Sequence, residues 1–118
     1  MVNEDRNPVR DKSYAFALRV IGLARRLRQQ KEYELAGQLL RAGTSIGANV
    51  EEAQAAHNRP DFVAKMSIAA KEARETHYWL RLLRDSKTGP PDEVASMLQD
   101  ANELIRLLAA IVKTGQSK

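Results

Sequence analysis

Residues 38–53 read Gln38-Leu39-Leu40-Arg41-Ala42-Gly43-Thr44-Ser45-Ile46-Gly47-Ala48-Asn49-Val50-Glu51-Glu52-Ala53. Together with Leu35, the apolar positions Leu39, Ala42, Ile46, Val50 and Ala53 recur every three or four residues. That is the spacing of one face of an α-helix; a half-buried strand would alternate every second residue. Two glycines four apart interrupt this helix, and each costs roughly 1 kcal/mol relative to alanine. Close approach of a neighbouring backbone at Gly43 and Gly47 would offset the cost, as in small-residue helix contacts. A simple kink is the other reading.

The same periodicity extends on both sides. Phe62, Met66, Ala69, Ala73, Leu80 and Leu83 mark a third helix, and Val94, Leu98, Ala101, Ile105, Leu108 and Val112 a fourth. Pro8 precedes the first pattern. Asn58 can cap the third helix, with Pro60 and Asp61 in its first turn. Ser86-Lys87-Thr88-Gly89-Pro90 is the clearest loop, after which Pro91, Asp92 and Glu93 open the fourth helix and Gly115 follows it. The predicted helices cover about 10–30, 32–55, 59–85 and 91–113 of a single domain, 1–118. Short connections between long helices favour antiparallel neighbours. The expected fold class is all-α, an antiparallel up-down-up-down four-helix bundle.

Composition agrees. A chain of 118 residues can bury a core without staples, and it contains no cysteine. Aromatic residues are only 5%, while alanine, leucine, arginine and glutamate abound, as helices prefer. No apolar run of membrane-spanning length occurs, and Met1–Arg6 is polar where a signal peptide would be apolar. A cytoplasmic protein with no membrane role is expected.

The net charge of +4 is uneven. Arg6 to Lys31 holds eight basic residues and one acid, whereas Glu32 to Lys118 holds eleven and twelve. Lys12, Arg19 and Arg26 stand seven apart, nearly in line, with Arg10, Arg25, Arg28 and Lys31 near the helix ends. A localised positive segment attracts RNA, DNA, anionic lipid or an acidic protein; a plainly solvated helix face is the competing reading. The candidate nucleic-acid contacts are Lys12, Arg19, Arg25, Arg26, Arg28 and Lys31. Few aromatics interleave them, so binding would be non-specific and salt-sensitive.

Apolar residues are in surplus on two helices. On a wheel, Leu23, Phe16, Leu27, Val20, Ala24, Ala17, Ile21, Tyr14 and Leu18 span about 220° of the first, where about 100° suffices for a bundle core. The third adds Ala64, Ile68, Tyr78, Trp79 and Leu82 opposite its core face, among Lys71, Glu72 and Glu75. Such surplus marks an interaction surface, and a second copy of the same chain is the simplest partner. The candidate oligomer contacts are Phe16, Val20, Leu23, Ile68, Tyr78, Trp79 and Leu82. A core broader than the ideal wheel is the alternative.

Catalytic chemistry finds little support. A carboxylate-bridged di-iron bundle needs two Glu-x-x-His pairs, and the chain has none. His57 and His77 read as solvated or locally bonded, and Glu51/Glu52 and Glu72/Glu75 lack the apolar setting that would raise a carboxyl pKa. No catalytic residue, metal ligand or cofactor is expected, and the protein is not expected to be an enzyme.

Residues 38–53 also resemble the second helix of the S23 or 23S rRNA intervening-sequence protein family, roughly Q-(L/I)-x-R-A-x-x-S-I-x-(A/S)-N-(I/V)-x-E-(A/G). Lys71-Glu72-Ala73-Arg74-Glu75-Thr76-His77-Tyr78-Trp79-Leu80, with Phe62, Met66, Ser67, Ile68 and Ala69 before it, resembles that family's third helix. The resemblance covers roughly Ser13 to Val112. It implies a left-handed antiparallel bundle that assembles into a ring, a homopentamer. Some members are encoded within ribosomal RNA genes, and a related branch serves diversity-generating retroelements as accessory protein; nothing in the sequence assigns the chain to that branch. Most members have no established activity. Arg41, Ser45, Asn49 and Glu52 match the family's polar positions and are expected to form a structural polar network, within or between subunits, in preference to a binding site. The resulting expectation is a non-catalytic, ring-forming homo-oligomer associated with RNA through its first helix. A protein-interaction scaffold without nucleic acid is the alternative.

Overall fold

The computed structural model of the protein describes residues 7–117; Met1–Arg6 and Lys118 lie outside the described residues. Four helices follow in order: α1 (Pro8–Gln29), α2 (Tyr33–Gln54), α3 (Arg59–Asp85) and α4 (Pro91–Gln116). Each helix packs on the next, α1 also meets α4, and the backbones of the diagonal pairs α1/α3 and α2/α4 stay apart. The helices therefore close into a four-cornered bundle that is loosest between α1 and α4. Neighbours run antiparallel: Val20 of α1 lies against Gly43, and Ser13, a turn or two earlier, against Gly47.

Local sequence sets the ends. Asn7 caps α1 by accepting from the Arg10 N–H, and Asn58 caps α3 by accepting from the Asp61 N–H. Pro8 sits inside the first turn of α1 and not before it, because a missing N–H costs nothing there. α4 also continues past the expected end at residue 113, to Gln116. At the end of α1, Lys31 N–H bonds Arg28 C=O and Glu32 N–H bonds Leu27 C=O. Lys87 and Thr88 repeat this pattern on Arg84 and Leu83 at the end of α3. Both are helix-stop motifs that need a left-handed residue, and the residues there are Lys31 (φ 66°) and Lys87 (φ 57°), not glycine.

The core is a layered stack of aliphatic side chains with Phe16 and Met66, all but inaccessible to water. Ser13 and Thr76 are its only buried polar residues among those described, and each hydroxyl donates back to a carbonyl of its own helix, Arg10 and Glu72. Gly43 makes room for the Val20 side chain, since an added Cβ would stand 2.6 Å from a Val20 methyl, whereas at Gly47 it is the Ser13 backbone carbonyl that lies nearest. Close approach, and not a kink, accounts for that glycine. The helical wheel points to Phe16, Val20 and Leu23 as contacts between copies. All three are buried within the chain's own core, at 2% exposure or less, and are excluded from any subunit interface.

Candidate interaction surfaces

With those residues turned inward, the outward face of α1 is the row Tyr14, Leu18, Ile21, Arg25 and Arg28, spaced four, three, four and three. Tyr14 is 63% and Leu18 56% exposed. α3 carries a matching row with the same alternation: Ala64, Ile68, Lys71, Glu75, Tyr78 and Leu82. Ile68, Tyr78 and Leu82 are exposed as the sequence suggested, and Trp79 flanks the row half-buried. A four-three alternation keeps side chains on one seam of a straight helix, the pattern by which one helix receives another. Because α1 and α3 occupy opposite corners, each chain bears two different apolar seams on opposite sides.

The basic row behaves otherwise. Lys12 bonds Glu103 at 2.7 Å, Arg19 bonds Asp100 at 2.7 Å and Ser96 at 3.1 Å, and Arg26 bonds Glu93 at 2.8 Å. The three cations are a rail joining α1 to α4, where packing is sparsest. A cleft of about 160 Å³ lies beneath two of them, lined by Phe16 and Leu104 among others. Lys12 holds the Glu103 carboxyl below its ordinary pKa. Half of the expected nucleic-acid set is thereby occupied. Sequence reading missed the rail, although Glu93, Ser96, Asp100 and Glu103 share one face of α4 and run antiparallel to the cations. Arg25, Arg28 and Lys31 are exposed and make no ion pair with another described residue.

The four family-matching polar residues do not form one ladder. Arg41 reaches α3, bonding Glu72 and Glu75. Glu75 also accepts from the Trp79 indole N–H at 3.1 Å. That indole bond and Arg41 hold the Glu75 carboxyl below its ordinary range, while the Glu75 bond pushes Arg41 further up. Glu52 pairs with Lys65 at 2.9 Å, which raises the lysine. Asn49, half-buried, donates to the Ser45 backbone carbonyl at 2.9 Å. Two of the four thus tie α2 to α3, and two stay within α2. Tyr78 and Trp79 meet edge-on with ring centres 5.2 Å apart, and Arg81 lies over the Tyr78 ring.

His57 lies exposed in the α2–α3 connection. His77 is half-buried, and burial first, then Arg81 and Arg84, push its pKa down. Among the described residues no group of three or more His, Cys, Asp or Glu could hold a metal ion, and no helix is long and apolar enough to cross a membrane.

The fold defines a class, the all-α four-helix bundle. The family model described as 23S rRNA-intervening sequence protein matches residues 5–110, and the chain belongs to that family. A crystal structure of a protein of unknown function from the S23 ribosomal protein family of Bacteroides thetaiotaomicron is 45% identical. The match covers 89% of this chain and 98% of that one, with a TM-score of 0.85. No curated protein matches.

Proposed function

We propose that this protein is a non-catalytic, cytoplasmic, self-assembling bundle that joins copies of itself through its outward α1 and α3 seams and associates with RNA. The carrying observation is the pair of outward four-three rows, with Tyr14 and Leu18 exposed on α1 and Ile68, Tyr78 and Leu82 exposed on α3. Single exposed apolar residues are ordinary, whereas two rows that each align several large apolar side chains among charges are the mixed surface on which interfaces form. Native mass spectrometry on untagged protein tests the assembly: a single ring-sized species is expected, and a monomer at micromolar concentration overturns it.

The RNA contact rests on Arg28 and Lys31, with Lys87 at the same end of the bundle, and no longer on the α1–α4 rail. Lys31 and Lys87 hold left-handed backbone that costs a non-glycine residue roughly 1 kcal/mol. Keeping lysine there favours a use for the charge. Lys31→Gly is expected to raise the melting temperature yet weaken binding to a generic RNA, and binding should fall steeply with salt. Salt-independent affinity, or affinity unchanged in an Arg28→Glu/Lys31→Gly variant, sinks this half of the reading. A preparation free of nucleic acid that retains a protein partner would favour the scaffold reading instead.

A further inference from the structure

We propose that the α3–α4 corner of the bundle holds a binding site for a small carboxylate with an apolar chain, a medium-chain fatty acid in size and chemistry. The site is a cavity of about 290 Å³ beside the Ser86–Pro90 loop. It stands apart from the self-assembly reading and shares only Lys87 with the RNA reading.

Leu83 of α3 and Val94 of α4 line the cavity, and both are core residues at 1% exposure. The cavity therefore runs down to the edge of the core. Gly89 and Pro91 extend its apolar wall, and no carboxylate lines it. Its one side-chain hydroxyl, on Thr88, is already bonded to Ser86 at 2.8 Å. Such a lining suits a hydrocarbon chain, whereas a sugar or a nucleobase would leave polar edges without partners. The volume lies at the small end of the range for ligand pockets, roughly 300–1,000 Å³.

Backbone contacts set the walls. Lys87 N–H bonds Arg84 C=O at 3.2 Å and Thr88 N–H bonds Leu83 C=O at 2.9 Å, which ties down the start of the loop. Gly89, at φ 82°, brings the chain so close that a Cβ there would stand 3.4 Å from Leu27 and 3.8 Å from Val94. The loop is thus wedged against α1 and α4 with the cavity already formed, and a ligand need not order it.

Charge decides the head group. Arg84 and Lys87 are the exposed cations at the mouth. Arg84 is held by Asp85 at 2.8 Å and 3.3 Å, whereas Lys87 makes no ion pair with another described residue. Lys87 also keeps a left-handed backbone (φ 57°) that glycine would adopt without a Cβ penalty. An unpaired cation beside an apolar cavity that no acid lines is complementary to one anion on an apolar body. A second cleft, of about 380 Å³ at the opposite end of the bundle, is lined by Arg59, Phe62 and Ile111 among others. It is more open and stops at half-buried side chains, so it serves as the internal comparison.

Octanoate and octanol are the probes, followed by calorimetry and by backbone amide shifts in isotope-labelled protein. Octanoate is expected to bind at submillimolar concentration and to move the amides of Lys87, Thr88, Gly89 and Val94. It should bind about tenfold more tightly than hexanoate, because two further methylenes are buried. Lys87→Gly removes the charge and relieves the backbone. It should raise the melting temperature and weaken octanoate about threefold, while octanol binding is unchanged. Val94→Leu, which fills part of the cavity, should weaken both ligands. No octanoate binding up to about 10 mM, or shifts confined to Arg59, Phe62 and Ile111, overturns the site. Equal weakening of octanoate and octanol by Lys87→Gly, or equal affinity for hexanoate and octanoate, overturns the assigned ligand chemistry.

Discussion

Helix α1 makes two seams of opposite character. Against α2 it packs dry: Val20 fills the space that Gly43 leaves open, Ser13 rests on Gly47, and no ion pair joins the two helices among the described residues. Against α4 it packs loosely, spanning a cleft with the Lys12, Arg19 and Arg26 pairs. Apolar contact is short-ranged and depends on fit, whereas an ion pair on long side chains tolerates a gap but contributes little in water. The first seam fixes where α1 sits. The second orients it and neutralises three charges at the surface.

The most damaging test of this contrast is Gly43→Val. Its first added carbon would stand 2.6 Å and 2.7 Å from the two Val20 methyls, in a position with no room to yield. Overpacking of this kind costs about 3 kcal/mol at its upper range, and thermal or urea unfolding should show it. Truncating the opposing side chain should recover much of the loss in a Gly43→Val/Val20→Ala variant, which is the non-additivity expected of touching residues. Loss that Val20→Ala fails to relieve would mean that the glycine serves backbone geometry and not the seam.

Gly47 sharpens the same point in the other direction. A Cβ there would lie 3.4 Å from the Ser13 carbonyl, ordinary contact distance. Gly47→Ala should therefore gain helix propensity, about 0.5–1 kcal/mol, and raise the melting temperature. The sequence displays two glycines alike, but only the partner helix distinguishes them.

On the α4 side the expected effects are smaller. Arg19→Glu sets a carboxylate against Asp100 and should destabilise by about 1 kcal/mol at low salt, less at high salt. The exchanged pair, Arg19→Glu with Asp100→Arg, should restore the wild-type value. An unchanged salt response in the single variant would remove the rail from any account of stability.

These two seams also show what could be read in advance. Helix spacing, the Asn58 cap and the Ser86–Pro90 loop are local signals, and the four helices follow from them. The apolar arc of α1 was equally visible, but a wheel gives angles without saying which azimuth faces the core. The wheel alone therefore points Phe16, Val20 and Leu23 outward, whereas in the structure Tyr14 and Leu18 are the exposed apolar residues of α1. The cations of α1 were visible too. Their fate depended on acids some 70 to 90 residues later on α4, a pairing that no single-helix pattern contains.

The α2–α3 seam is the intermediate case, and it supplies the finest test. It combines a buried apolar layer with Arg41 bridging Glu72 and Glu75, and the only tryptophan donates to one of those carboxylates. Because the folded pKa of Glu75 is lowered, first by the indole bond and then by Arg41, its stabilising contribution is complete above the ordinary glutamate value of 4.5. It is lost as pH falls through the lowered folded value. Trp79 fluorescence should consequently change in a step below pH 4.5 that precedes global unfolding, and Glu75→Gln should abolish the step. His77 also has a lowered pKa, so its contribution begins to fall away as pH drops below 6.5, and a His77→Gln variant identifies its share of any change. If the step persists in Glu75→Gln, the indole reports a different group, and the seam behaves as an apolar contact with ion pairs merely laid over it. If the step vanishes with little change in melting temperature at neutral pH, the carboxylate orients Trp79 beside the outward α3 seam more than it holds α2 to α3.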